Sequence, residues 1–212
     1  MRWARFRRPG ATGAWLVHLR DKRELQWLGI FTEGLRDEHL EFIAGLDGLE
    51  TLLLRSPALT DAGMIHLRGL TGLKRLWIDN SQVTGNGLEH IRGLGNLERI
   101  ALPPTVDRLT SLRGLSRLRE IRAWDSRLSD DGLEGISDLK NLKDLAFSGR
   151  SVTDAGLAHL SAMTRIQALS IPGTAVTDAG LIHLGDLTSL ALLNLQGSQI
   201  TGATLSKLLR AR

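Results

Sequence analysis

Apolar residues recur along this chain with a fixed phase. The phrase Leu-x-x-Leu-x-Leu, with Ile, Phe or Ala substituting, begins at Leu25, Leu49, Leu73, Leu97, Leu118, Leu142, Ile166 and Leu190. Successive starts are 24 residues apart, except for one step of 21 between Leu97 and Leu118. Five residues after the third apolar position comes another, at Leu35, Leu59, Val83, Leu128, Val152, Val176 and Ile200. The sequence Thr-Asp-Ala-Gly-Leu then follows, complete at 153–157 and 177–181 and close to it at 60–64, 84–88 and 129–133. Apolar residues at every third position complete the unit, as in Leu181, Leu184, Leu187 and Leu190.

The period changes from two to three inside every unit. The Leu-x-Leu part alternates as a short strand does, and the Thr/Ser-Asp pair opens a helical turn by capping its free amide donors. The expected chain order is strand, turn, short helix, strand, with parallel strands joined by a very short crossover. No unit can bury its apolar face alone, so the units must stack.

These residues resemble the leucine-rich-repeat family, in a 24-residue variety with Thr-Asp-Ala-Gly-Leu turns that looks bacterial. The resemblance spans roughly residues 13–212. It implies an α/β solenoid: a right-handed arc of about eight repeats, with a parallel sheet on the concave face and short helices on the convex face. The family's ladder Asn is replaced here by Ser81, Thr105, Ser126, Thr174 and Ser198, with Glu33, Pro57 and Arg150 interrupting the column. Residues 13–24 are expected to be an amino-terminal half-repeat cap, because Leu16, Leu19 and Leu25 keep the register of Leu40, Ile43 and Leu49. A last helix carrying Leu205, Leu208 and Leu209, with Lys207 and Arg210 on its outer side, is expected to close the other end.

Charge alters the picture at one place. Residues 1–23 hold seven Lys/Arg against a single acid, Asp21, whereas the rest of the chain holds 20 basic and 22 acidic groups. The basicity therefore belongs to the front end, and residues 1–12 read as a basic, flexible arm. An alternative use of this arm, with Trp3 and Phe6 among its arginines, is contact with nucleic acid or an anionic membrane surface. The absence of cysteine removes disulfides, thiolate metal sites and cysteine nucleophiles. With no apolar leader behind the basic start, the protein is expected to be cytoplasmic.

Two polar columns invite chemistry. His18, His66, His90, His159 and His183 share one repeat position. Packed helices lie ~8–10 Å apart and zinc–nitrogen bonds are ~2 Å, so these histidines are poorly spaced to share an ion. Asp61, Asp130, Asp154 and Asp178 adjoin the helix starts and read as caps rather than as acid–base pairs. No phosphate-loop pattern and no nucleophile–base pairing is present. The expectation is a protein without enzymatic activity, cofactor or metal.

The strand positions facing away from the core are more informative. Trp27, Phe31, Leu53, Arg55, Arg75, Trp77, Asp79, Arg99, Glu120, Arg122 and Trp124 are expected to share the concave face of repeats one to five. Tryptophan and arginine together are the composition of binding hot spots. Repeats six to eight present small or neutral residues there instead. Arg99 beside Glu120 and Arg55 beside Asp79 could be simple cross-strand ion matches, whereas Arg75 beside Arg99 is a like-charge pair that a purely structural sheet avoids. The leading expectation is a scaffold gripping a protein partner with acidic and apolar groups. The alternatives are a polyanion such as nucleic acid, held by Arg2–Arg8 and the concave arginines, and service as the interaction arm of a larger effector or ligase-like assembly.

Overall fold

The computed structural model describes residues 2–8 and 10–202. Among the described residues, nine short strands form one parallel sheet in chain order: β1 Trp3–Arg7, β2 Trp27–Phe31, β3 Thr51–Arg55, β4 Arg75–Asp79, β5 Arg99–Ala101, β6 Glu120–Ala123, β7 Asp144–Phe147, β8 Ala168–Ser170 and β9 Leu192–Asn194. The register repeats the sequence phase, with Leu28, Leu52, Leu76, Ile100, Ile121, Leu145, Leu169 and Leu193 side by side. One contiguous core runs from Leu16 to Leu190, between the sheet and the turns behind it. This is a leucine-rich-repeat solenoid.

The described crossovers are mostly 3₁₀ turns, such as Asp61–Leu67 and Gly180–Leu184, with a short α-helix at Asp154–Ala158. The spacing of the leucines explains this. At three residues per turn, positions i and i+3 eclipse, so Leu181, Leu184 and Leu187 stay in line and all are buried.

The Thr-Asp-x-Gly turn does more than cap. Thr60, Thr153 and Thr177 do cap, accepting at Oγ1 from the N–H two residues on. The aspartates of the column, however, reach forward into the next repeat. Asp154 accepts from the Thr177 N–H at 2.8 Å and the Thr177 hydroxyl at 2.7 Å, and Asp37, Asp61 and Asp130 hold Thr60, Thr84 and Thr153 in the same way. The glycine of the motif leaves room for that carboxylate. A Cβ at Gly180 would lie 2.2 Å from Asp154 Oδ1. Thr, Asp and Gly thus form one clamp spanning two repeats.

Two other features depart from the sequence reading. Residues 3–7, assigned there to a basic arm outside the repeats, form β1 in full register with β2. The polar ladder is less broken than the column suggests. Glu33 and Pro57 interrupt it only because the ladder moves one residue earlier, to Thr32 and the fully buried Ser56, which donate to carbonyls of the preceding unit. Farther on, a left-handed residue precedes Ser81, Ser126, Thr174 and Ser198 (Asn80, Asp125, Gly173 and Gly197); Thr174 and Ser198 donate to carbonyls of their own unit, and Arg150 still breaks the column. Asn and Asp tolerate that conformation better than most side chains. The expected closing helix at Leu205–Arg210 lies outside the described residues.

Candidate functional site

Residues of odd parity on β1–β4 point to the concave side, because side chains alternate along a strand and the even ones fill the core. The register then fixes three rows. The first runs Trp3, Trp27, Thr51, Arg75, Arg99, Glu120, Asp144. Next come Arg5, Gly29, Leu53, Trp77, Ala101 and Arg122, and the last contains Arg7, Phe31, Arg55 and Asp79. Trp124 follows the end of β6 and is 42% exposed. Trp27, Phe31, Leu53 and Trp77 are half-buried, and Arg55, Arg75, Asp79, Arg99 and Arg122 are exposed.

Glu120 behaves differently from its neighbours. It is only 8% exposed and sits between two arginines, 2.6 Å from Arg122 and 3.5 Å from Arg99. It organises the surface rather than offering itself to a ligand. Arg55 pairs with Asp79 at 3.4 Å. Arg75 faces Arg99 across the β4–β5 ladder and has no carboxylate within salt-bridge distance among the described residues. Between β4 and β6 the first row thus contains two guanidinium groups and one carboxylate, with the Arg122 guanidinium beside them in the next row.

A hollow of about 500 Å³ lies in the middle of this face. Leu53, Trp77, Ala101, Pro104, Phe31 and Trp124 supply its apolar lining, while Arg55, Asp79, Arg122 and Asp125 stand at its edge. Its existence depends on a short side chain. Ala101 lies in register between Trp77 and Arg122, so the floor drops where a larger residue would fill it. Leu102 still donates to the Arg122 carbonyl, but Pro103 and Pro104 come next; proline cannot donate to a ladder, and β5 is only three residues long. A smaller hollow of about 260 Å³ adjoins it beside Arg7, Phe31 and Arg55.

On β2, the Trp27 and Phe31 rings lean over Gly29. A Cβ there would come within 2.6 Å of Trp27 and 2.9 Å of Phe31. Arg5 of β1 stacks on Phe31 with its guanidinium carbon 5.2 Å from the ring centre. Arg5, Arg7, Ala101, Pro104 and Asp125 are absent from the set read from the sequence. A signal for β1 was there: Met1, Ala4 and Phe6 repeat the Leu25, Leu28, Ile30 phrase one period earlier.

The remaining candidates are peripheral. His66, His90, His159 and His183 lie half-buried on the convex flank, and among the described residues no group of three His, Cys, Asp or Glu is placed to hold a metal ion. His39, outside that column, accepts the Arg36 N–H at Nδ1 and so caps a turn. No described helix is long and apolar enough to cross a membrane.

No protein-family model matches the chain, and no curated protein matches it by sequence. Solved structures do. The chain is similar to an internalin from Listeria monocytogenes, with a TM-score of 0.76 and 23% identity over 89% of this chain and 54% of that one. It is also similar to an internalin C2 of the same organism, with a TM-score of 0.68 and 23% identity over 81% and 71% of the two chains. A third similar structure is the Arabidopsis receptor kinase HAESA in complex with the peptide hormone IDA and the co-receptor SERK1, with a TM-score of 0.67, 15% identity and coverage of 93% and 34%. The chain spans about half the length of the first of these internalins. At these identities the likeness carries the fold, and the fold they share is the leucine-rich-repeat solenoid.

Proposed function

We propose that the protein is a non-catalytic scaffold that binds a protein partner on the concave face of β2–β6. The observation that carries this reading is the hollow between Trp77 and Trp124, apolar at its base and edged by arginines. An apolar side chain of the partner enters the hollow, and a neighbouring acidic group meets Arg75, whose charge has no carboxylate match among the described residues. Residues i and i+2 of a strand are ~6.6 Å apart, so Arg75 and Trp77 suit an acidic and an apolar group in one short segment. That HAESA is seen with a peptide hormone and a co-receptor supports protein binding as a use of this fold. The Thr-Asp-Ala-Gly-Leu turns and the likeness to internalins support a bacterial origin. The lack of cysteine supports a cytoplasmic setting.

Affinity capture from the native host tests the site, comparing wild type with Trp77→Ala plus Trp124→Ala. Truncating a hot-spot tryptophan removes ~2 kcal/mol or more, so a partner retained by the wild type is expected to be lost from the double variant. Equal recovery of that partner overturns the assignment.

A polyanion is the second reading, supported by Arg2, Arg5, Arg7 and Arg8, none of which pairs with an acid among the described residues. Binding of an oligonucleotide that weakens steeply with salt would favour it, since counterion release dominates such contacts.

A further inference from the structure

We propose that the open edge of β1 is a second docking site, which accepts an extended acidic segment of a partner protein as a tenth strand. The backbone geometry comes first. The Arg2 carbonyl accepts from β2, and the Arg8 N–H donates to the Phe31 carbonyl. Backbone groups alternate sides along a strand, so the even residues of β1 face β2. The N–H and C=O groups of Trp3, Arg5 and Arg7 therefore face outward, and among the described residues none of them has a partner. An unpaired edge of this kind is a template for strand addition.

The side chains define what fits. On the concave side the edge presents Trp3, 70% exposed, followed by Arg5 and Arg7. On the core side, Ala4 and Phe6 are only partly covered, and Phe6 stacks on Trp15 with ring centres 3.9 Å apart. The complementary strand has apolar residues opposite Ala4 and Phe6, and acidic residues opposite Arg5 and Arg7, ~4.8 Å away. Its signature is an alternation of glutamate or aspartate with valine-like residues. A second copy of this chain fits worse, because antiparallel pairing of two β1 edges about Arg5 sets like charges opposite each other.

The charge and the backbone contributions can be separated experimentally. The probe is an eight-residue peptide alternating glutamate and valine, titrated against the isotope-labelled protein by amide NMR. At low salt, shifts and hydrogen-exchange protection are expected at Trp3, Arg5 and Arg7. Arg5→Ala keeps the outward N–H and loses one charge, whereas Arg5→Pro also removes the N–H while leaving the β1–β2 ladder intact. A drop in affinity for Arg5→Pro beyond that for Arg5→Ala, of about threefold or more, supports strand addition. Equal affinities for the two variants, or undiminished binding of the peptide when every one of its amides is N-methylated, would falsify it. So would a β1-dependent dimer of the protein alone in light scattering, or tighter binding of poly-thymidine at matched salt. Absence of any response at Trp3, Arg5 and Arg7 up to millimolar peptide also overturns it.

Discussion

Two kinds of junction hold this solenoid together, and comparing them shows where its regularity comes from. Between most neighbouring repeats a threonine is held through both its N–H and its hydroxyl by the aspartate of the preceding unit, as at Asp130–Thr153 and Asp154–Thr177. Around the short repeat that starts at Leu97, this clamp is absent. Gly85 stands where the aspartate would be, and a later residue, Asp107, accepts the Gly85 N–H at 3.1 Å. Arg108 reaches back to Asn86, and Ser111 donates to Glu89 at 2.6 Å. The regular junctions rely on one charged group with two short bonds, while the irregular one distributes the task over several side chains, each making a single bond. The core passes through both unbroken, since Val106, Leu109 and Leu112 are as buried as Val152, Leu157 and Leu160.

The largest effect is expected where both junction types depend on the core. Leu145→Ala, in a fully enclosed site on β7, should destabilise the fold by about 2–5 kcal/mol, and Leu112→Ala beside the irregular junction by a similar amount. A urea midpoint that moves for Leu145→Ala but not for Leu112→Ala would mean that the short repeat is only loosely attached. Next in size are the clamps. Asp154→Ala leaves the Thr177 N–H and hydroxyl without their charged acceptor, a loss of about 1.5–3 kcal/mol. Asp107→Ala removes one longer bond and should do measurably less. Gly180→Ala should come close to Asp154→Ala, because the added methyl displaces the same carboxylate. Gly93→Ala, with open space around it, is the matched control and should be near neutral. If the two aspartate variants melted alike, the proposed difference between the junctions would be wrong.

Much of this was legible in the sequence because a repeat shows the same physics many times. The phase of the leucines gave the strands, their register and the core. Three things escaped, each for a definable reason. β1 is encoded by Met1, Ala4 and Phe6, so its apolar phrase lacks leucine altogether and its arginines draw attention instead. The forward reach of the aspartates is invisible at the level of one unit, where Thr-Asp before a helical turn already has a sufficient local explanation as a cap. The concave hollow depends on what is missing, namely a side chain longer than that of Ala101 between Trp77 and Arg122. Residue types could indicate an arginine–tryptophan surface, but its depth and the withdrawal of Glu120 beneath it needed the packed strands.

The smallest effect sharpens the comparison through pH. Glu89, at the irregular junction, has its carboxyl held below the ordinary 4.5, first by the Ser111 hydroxyl and then by the Arg92 guanidinium at 2.7 Å. A carboxyl whose folded value is depressed adds stability above its unfolded value, and that stability fades as pH falls through the folded one. The junction should therefore weaken in acid, beginning near pH 4.5 and continuing below it. Because the Glu89 side chain is 44% exposed, solvent screening keeps the contribution to a fraction of 1 kcal/mol. Glu89→Gln retains an acceptor for Ser111 but has no charge to lose, so its stability should be flatter than that of the wild type between pH 5 and pH 3, to within about 1 kcal/mol. Parallel acid-dependent urea melts of the two proteins measure that difference. Identical slopes would show that Glu89 is a surface ornament and that the irregular junction rests on its buried leucines alone.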